Sequence, residues 1–162
     1  MKNAKIHQIV TAGMIAAIYV ALTYIFNAIS FGEIQVRVSE ALTILPVFTA
    51  AAVPGLFIGC LIANILGSAL LPDIIFGSLA TLVGALFTRM LRRAHPFLAP
   101  LPPIAANALV VPFVLHYAYM VPVPIPFLML TVGVGEILSC GVLGLILYYA
   151  LRPHRDALFP ER

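Results

Sequence analysis

Between Ala94 and Gly135 the chain runs 42 residues without a charged side chain, histidines counted as neutral. Four further charge-free runs lie around it: Gln8 to Gly32 (25 residues), Ala41 to Pro72 (32), Ile74 to Thr88 (15) and Ile137 to Leu151 (15). Hydrocarbon offers the backbone no water to bond, so segments of this kind fold as helices whose hydrogen bonds are internal. Composition agrees: 62% of residues are hydrophobic and 9% charged, against roughly half and a quarter in soluble domains. Mean hydropathy is +1.09. These values exclude a water-soluble enzyme domain, a disordered chain and a nucleic-acid binder with a basic face. They describe an integral membrane protein.

Prolines divide the longer runs. Pro54-Gly55 splits the second, and Pro100-Leu101-Pro102-Pro103 and Pro122-Val123-Pro124-Ile125-Pro126 bracket a helix within the 42-residue run. A spanning helix needs about 20 residues. The pattern predicts an all-α membrane domain over 1–162 with six transmembrane helices at about 6–27, 42–53, 54–70, 73–91, 103–119 and 126–151. With the N-terminus inside, eight of the nine basic residues fall on the inner side, and Arg37 alone falls outside. That asymmetry predicts a multi-pass plasma-membrane protein with both termini cytoplasmic. A five-helix count would put Arg152 and Arg155 opposite Lys2 and Lys5. The first apolar run exceeds the 7–15 residues of a signal peptide, so no cleaved leader is expected.

The acidic residues point the other way. Glu33, Glu40, Asp73 and Glu136 fall in outer loops or inside the membrane, and only Asp156 and Glu161 sit on the inner tail. An intramembrane carboxylate costs several kcal/mol unless paired or wet, which makes Glu136 a functional candidate; the alternative is a structural partner for Arg37. Asp73 is either a site residue or a helix cap, and Asn64 and Asn107 either ligand contacts or interhelical clamps. From Phe31 to Glu40 apolar and polar residues alternate, which predicts an extended lid at the outer face. The plainer alternative is a loop with Ser39 capping the next helix. His116 reads as a satisfied interior histidine, and Cys60 and Cys140 as packing residues with no metal or disulfide spacing. Ala12 and Ala16, Ala17 and Ala21, and Gly55 and Gly59 are each four apart, a spacing that lets helices approach closely within the bundle or against a partner. The only lysines are Lys2 and Lys5, so no GxxxxGK[ST] phosphate loop exists. Any ATP that drives this chain is hydrolysed on another. No catalytic constellation, resident cofactor or metal, or nucleic-acid module is expected.

Four pieces together resemble the queuosine-precursor transporter (QueT) family: Gln35-Val36-Arg37-Val38-Ser39-Glu40-Ala41-Leu42, Gly59-Cys60-Leu61-Ile62-Ala63-Asn64, Asp73-Ile74-Ile75-Phe76-Gly77 with Thr81, and Gly135-Glu136. The resemblance implies the substrate-binding (S) component of an energy-coupling-factor (ECF) transporter, not an enzyme, with a six-helix S-component bundle. It implies a 7-deazaguanine base as solute, and a transmembrane scaffold subunit and two ATPase subunits as partners. Ala12 and Ala16 look like the small-residue motif by which S components dock the scaffold. The expected substrate-binding set is Gln35, Arg37, Glu40, Asn64, Asp73, Asn107 and Glu136. Carboxylates accept the adjacent N–H donors of a guanine-like edge, and an aminomethyl cation on the base would need a second carboxylate. Phe31, Phe113, Tyr117 and Tyr119 are open alternatives for stacking on the base. The competing functions are an S component for another small solute such as a vitamin, a stand-alone secondary transporter coupled to protons through Glu136 and Asp73, and a membrane enzyme or scaffold without a solute.

Overall fold

The computed structural model describes residues 2–26 and 36–159. Six helices build it, and the described residues contain no strand. They are α1 (Lys2–Ile25), α2 (Val38–Val47), α3 (Ala52–Leu66), α4 (Leu71–Met90), α5 (Leu101–Tyr117) and α6 (Ile125–His154). Four of them, α1, α4, α5 and α6, are long and apolar enough to cross a membrane. α2 and α3 are shorter, at 10 and 15 residues.

The expected second and third helices, 42–53 and 54–70, are the ones the structure moves. The break falls at Phe48–Ala51, ahead of Pro54, because a proline in a first helical turn removes an N–H that has no partner anyway. α2 begins at Val38, so the extended reading ends there, and the part of it from Phe31 to Gln35 lies outside the described residues. α2 is a 3₁₀ helix whose residues from Ser39 to Pro46 are all buried. It forms a central post, touched by α1, α3, α4 and α6.

Side-chain contacts give the direction of each helix. Arg37, just before α2, meets Asp73 in the first turn of α4. At the opposite end, Arg89 of α4 donates to the carbonyl of Pro46 at 3.0 Å. Tyr119, after α5, bonds Asp73, and the first turn of α5 packs against Gly84 in the second half of α4. Phe48 stacks on Tyr148 of α6 and on Phe159. The chain thus alternates direction from helix to helix. Arg89, Arg92, Arg93, Arg152 and Arg155 gather at one end and Arg37 lies at the other.

Small residues set two close crossings. A Cβ on Gly55 would lie 2.7 Å from the Ala12 carbonyl oxygen, and one on Gly59 would lie 3.1 Å from the Cα of Ala16. The four-residue spacings on α1 and α3 therefore meet each other, with the two helices running parallel. A Cβ on Gly84 would lie 2.7 Å from the Cα of Pro103. Around these crossings Ile15, Tyr19, Leu42, Leu45, Leu56 and Cys60 join in one core spanning α1 to α3.

Candidate functional site

Each of the six helices places a polar side chain in one buried region. Glu40 on α2 is 1% exposed, Asn64 on α3 1%, Asp73 on α4 2%, Asn107 on α5 4% and Glu136 on α6 3%. α1 contributes Tyr19, whose hydroxyl donates to Glu40 Oε1. Arg37, in extended backbone before α2, is 6% exposed.

Two sub-clusters make up the region. In the first, Arg37 Nη2 lies 3.7 Å from Asp73 Oδ2. The Tyr119 hydroxyl donates to the same oxygen at 3.1 Å and accepts from the Leu70 N–H. Burial opposes the Arg37 charge, but Asp73 outweighs it and holds the guanidinium more firmly protonated than in water. Burial likewise raises the Tyr119 pKa above that of a free phenol, which keeps it a donor. Gly77 makes this packing possible: a Cβ there would lie 2.9 Å from Asp73 Oδ1 and 3.4 Å from Asn64 Nδ2.

In the second, one carboxylate oxygen of Glu40, one of Glu136 and the Cys140 sulfur lie within 4.8 Å of one another. The Cys140 thiol donates to Glu136 Oε2 at 3.1 Å and accepts from Thr43 at 3.3 Å. Asn107, on α5, lies beside both carboxyl groups. A π-helical stretch, Ile137–Leu143, follows Glu136, and such stretches recur at functional sites. These three side chains are the ones among the described residues with the spacing to hold a cation. The two sub-clusters are joined through α3 and α4: Asn64 donates to the Asp73 carbonyl and to Cys60, and Thr81 to Cys60 and Glu40.

A pattern runs through the region. Glu40 is anchored through Oε1, Asp73 through Oδ2 and Asn64 through Nδ2. The other oxygen of each (Glu40 Oε2, Asp73 Oδ1 and Asn64 Oδ1) is buried with no hydrogen-bond partner among the described residues. Buried polar atoms in folded proteins are nearly always bonded, and leaving one unmet costs about 1–3 kcal/mol. Three acceptors on three helices are thus each held by a neighbour and each left with one atom unmet.

Six of the seven expected site residues therefore lie in one network; Gln35 lies outside the described residues. Of the candidate stacking aromatics, Tyr119 alone bonds this network. Phe113 and Tyr117 line an apolar hollow of about 470 Å³ between α4 and α5, and Phe31 lies outside the described residues. His116 is satisfied, its Nδ1 being 3.1 Å from the Val123 carbonyl. Tyr19 was not anticipated. Its signal is a hydroxyl-bearing ring between Ile15 and Thr23 on one helix face. Cys60 and Cys140 are free and buried, but both accept or donate within the network. Ala16 is buried and Ala12 half-buried against α3.

A family model described as QueT transporter matches residues 9–153. A protein of Lactococcus lactis subsp. cremoris (strain MG1363), named queuosine precursor transporter QueT, is 44% identical over 85 residues. The match covers 51% of this chain and 50% of the relative, so the chain spans about half the length of the curated protein it resembles. No solved structure matches.

Proposed function

The chain belongs to the QueT transporter family, and from that premise we propose that it is the substrate-capture S component of an ATP-driven ECF-type importer for a queuosine precursor, a 7-deazaguanine base. The observation that carries the chemistry is the set of three anchored, unmet acceptors on Glu40, Asp73 and Asn64. The pyrimidine edge and pyrrole ring of such a base carry several N–H donors for these acceptors, and Arg37 and the amides can donate to its carbonyl oxygen and ring nitrogen. The name of the Lactococcus relative supports the same solute. Gln35, Arg37, Glu40, Asn64, Asp73, Asn107 and Glu136 bind it.

In this reading the end where the basic residues gather is cytoplasmic and the Asp73 end outside, in the plasma membrane with both termini inside, which the positive-inside rule supports. No phosphate loop exists in the sequence, so two ATPase subunits and a membrane scaffold supply the drive. Ala12 and Ala16 are engaged with α3. The small residues left exposed on α1 are Gly13, Ala17 and Ala21, and this stripe is where the scaffold subunit docks.

The test is purification from its native membrane followed by titration with a 7-deazaguanine base. Scaffold and ATPase chains should accompany the protein, and the base should bind the isolated chain. Uptake by the purified chain alone in liposomes, driven by a proton gradient, would replace this reading with secondary transport. Ala17→Trp should abolish uptake while base binding survives, whereas Ala16→Trp should cost both. Normal uptake by Ala17→Trp would remove the docking face from α1.

A further inference from the structure

The end of the bundle away from Asp73 carries a different surface. Arg92 and Arg93 follow α4, and Arg152 and Arg155 lie at the end of α6; all four are exposed. None of them forms an ion pair among the described residues. The two arms have the same make-up. Residues 91–98 read Leu-Arg-Arg-Ala-His-Pro-Phe-Leu, and residues 151–159 read Leu-Arg-Pro-His-Arg-Asp-Ala-Leu-Phe. In each, two arginines, a histidine and a proline lead into apolar residues, of which Phe97 is 57% and Leu158 49% exposed. Arginines beside exposed apolar side chains at the end of a membrane span suit the headgroup boundary.

Both arms are pinned to one place, the end of α2. Arg89, one turn before Arg92 and Arg93, donates to the carbonyls of Pro46 at 3.0 Å and Val47 at 3.5 Å. Phe159, directly after the helical turn Arg155–Leu158, stacks on Phe48 with ring centroids 5.8 Å apart. The two arginine pairs therefore flank a single three-residue stretch of backbone. Residue choice narrows the partner. Both lysines of the chain lie on α1, and the arms use arginine alone beside their histidines. A guanidinium fork meets two oxygens of one phosphate, where an ammonium offers a point charge. An acidic protein surface would present separate carboxylates and leave Phe97 and Leu158 without an apolar partner.

We propose that the two arms form a site for an anionic phospholipid with two phosphates in one headgroup. Arg92 and Arg93 hold one phosphate, Arg152 and Arg155 the other, and the acyl chains run along Phe97 and Leu158. The bound lipid ties the end of α4 to the end of α6 across the foot of α2. The proposed topology makes this the inner leaflet; binding itself depends on neither that topology nor the proposed solute.

The experiment titrates the full chain, delipidated in neutral detergent, and counts bound lipid by native mass spectrometry. The probes are cardiolipin, phosphatidylglycerol at equal phosphate, and inorganic pyrophosphate. Cardiolipin should bind the parent tightest. A basic residue near an anionic lipid is worth about fivefold in affinity. Arg92→Gln with Arg93→Gln should therefore weaken cardiolipin binding about thirtyfold, as should Arg152→Gln with Arg155→Gln. Lys2→Gln with Lys5→Gln removes the same charge outside the arms and should change it less than about threefold. An equal loss from the lysine pair, or phosphatidylglycerol matching cardiolipin, would reduce the arms to general surface charge and overturn the site. Pyrophosphate matching cardiolipin would also overturn it, in favour of a soluble anion. Arginine variants that keep cardiolipin but shed co-purifying protein chains would make the arms a protein-docking surface instead. The comparison of probes on the parent needs no variant, and a parallel titration with a 7-deazaguanine base reads the other end of the molecule separately.

Discussion

The two halves of the buried network are built from the same side-chain chemistry but balanced differently. Asp73 is anchored by a guanidinium at 3.7 Å and a tyrosine hydroxyl at 3.1 Å. Glu40 is anchored by neutral hydroxyls from Tyr19 and Thr81 and faces a second carboxyl group, Glu136. The first half carries its own counter-charge; the second sets two carboxyl groups among neutral hydroxyls and a thiol. A buried ion pair contributes little net stability, but removing one partner strands the other. An acidic pair in an apolar interior is a source of repulsion unless a proton or a cation lies between the two groups. On the proposed function, the difference separates residues that hold the site's shape from residues that meet its ligand.

The largest expected effect comes from stranding Asp73. Arg37→Met should destabilise the fold by about 3–5 kcal/mol, the cost of an uncompensated buried charge. Adding Asp73→Asn should recover much of that loss, measured as melting temperature in detergent. A double variant no more stable than Arg37→Met would break the comparison, because Arg37 would then be held by partners other than Asp73. Next comes Glu40→Gln. It keeps volume and removes charge from the half where charge is unbalanced, so the fold should hold its melting temperature. Affinity for a 7-deazaguanine base should fall by about ten- to a hundredfold. Unchanged affinity would make Glu40 structural, and the two halves would no longer differ in kind. Gly77→Ala should have a smaller effect. Its methyl would crowd Asp73 Oδ1 at 2.9 Å, shift that carboxylate and weaken binding severalfold with little change at Glu40.

Charged members of the network were legible in the sequence because each is costly where it sits. Asp73 and Glu136 interrupt long apolar stretches and Glu40 borders one, and no packing argument puts a carboxylate there. Asn64 and Asn107 stood out as amides in apolar helices; the other neutral partners did not. Tyr19, Thr43, Thr81, Ser139 and Cys140 are ordinary residues in helices, and only the packing of α1 against α2 and of α2 against α6 turns them inward. The alternation of direction among six helices was visible from proline positions and basic residues. The start of α2 was not, because the alternation from Phe31 to Glu40 mimics a strand where the chain enters a 3₁₀ turn at Val38. A mostly apolar stretch such as Ala41–Val47 carries little periodicity with which to tell one helix type from another. On α1 the spacing was readable and the facing was not: Ala12-xxx-Ala16 and Gly13-xxx-Ala17-xxx-Ala21 run side by side, and only the glycines of α3 decide which set lies inside.

The smallest effect is the most specific to the charge-balanced half. Tyr119→Phe removes a hydroxyl that donates to Asp73 Oδ2 and accepts from the Leu70 N–H, tying the turn before α4 to the segment after α5. Arg37 remains on Asp73, so no charge is stranded. The loss should be one to two ordinary hydrogen bonds, about 1–2 kcal/mol, read as a drop of a few degrees in melting temperature. The contribution of Glu40 to base affinity should not move. The pH dependence carries a sign. Burial raises the Tyr119 pKa, so the folded state favours the neutral phenol. Its contribution is therefore full below the ordinary phenol range near about 10 and fades as the pH rises beyond it. The stability gap between parent and Tyr119→Phe should be flat from pH 6 to about 9 and narrow above that. A gap that widens in alkali would mean that the phenolate is the form held against Arg37, and the charge-balanced half would then carry a second anion in place of a neutral latch.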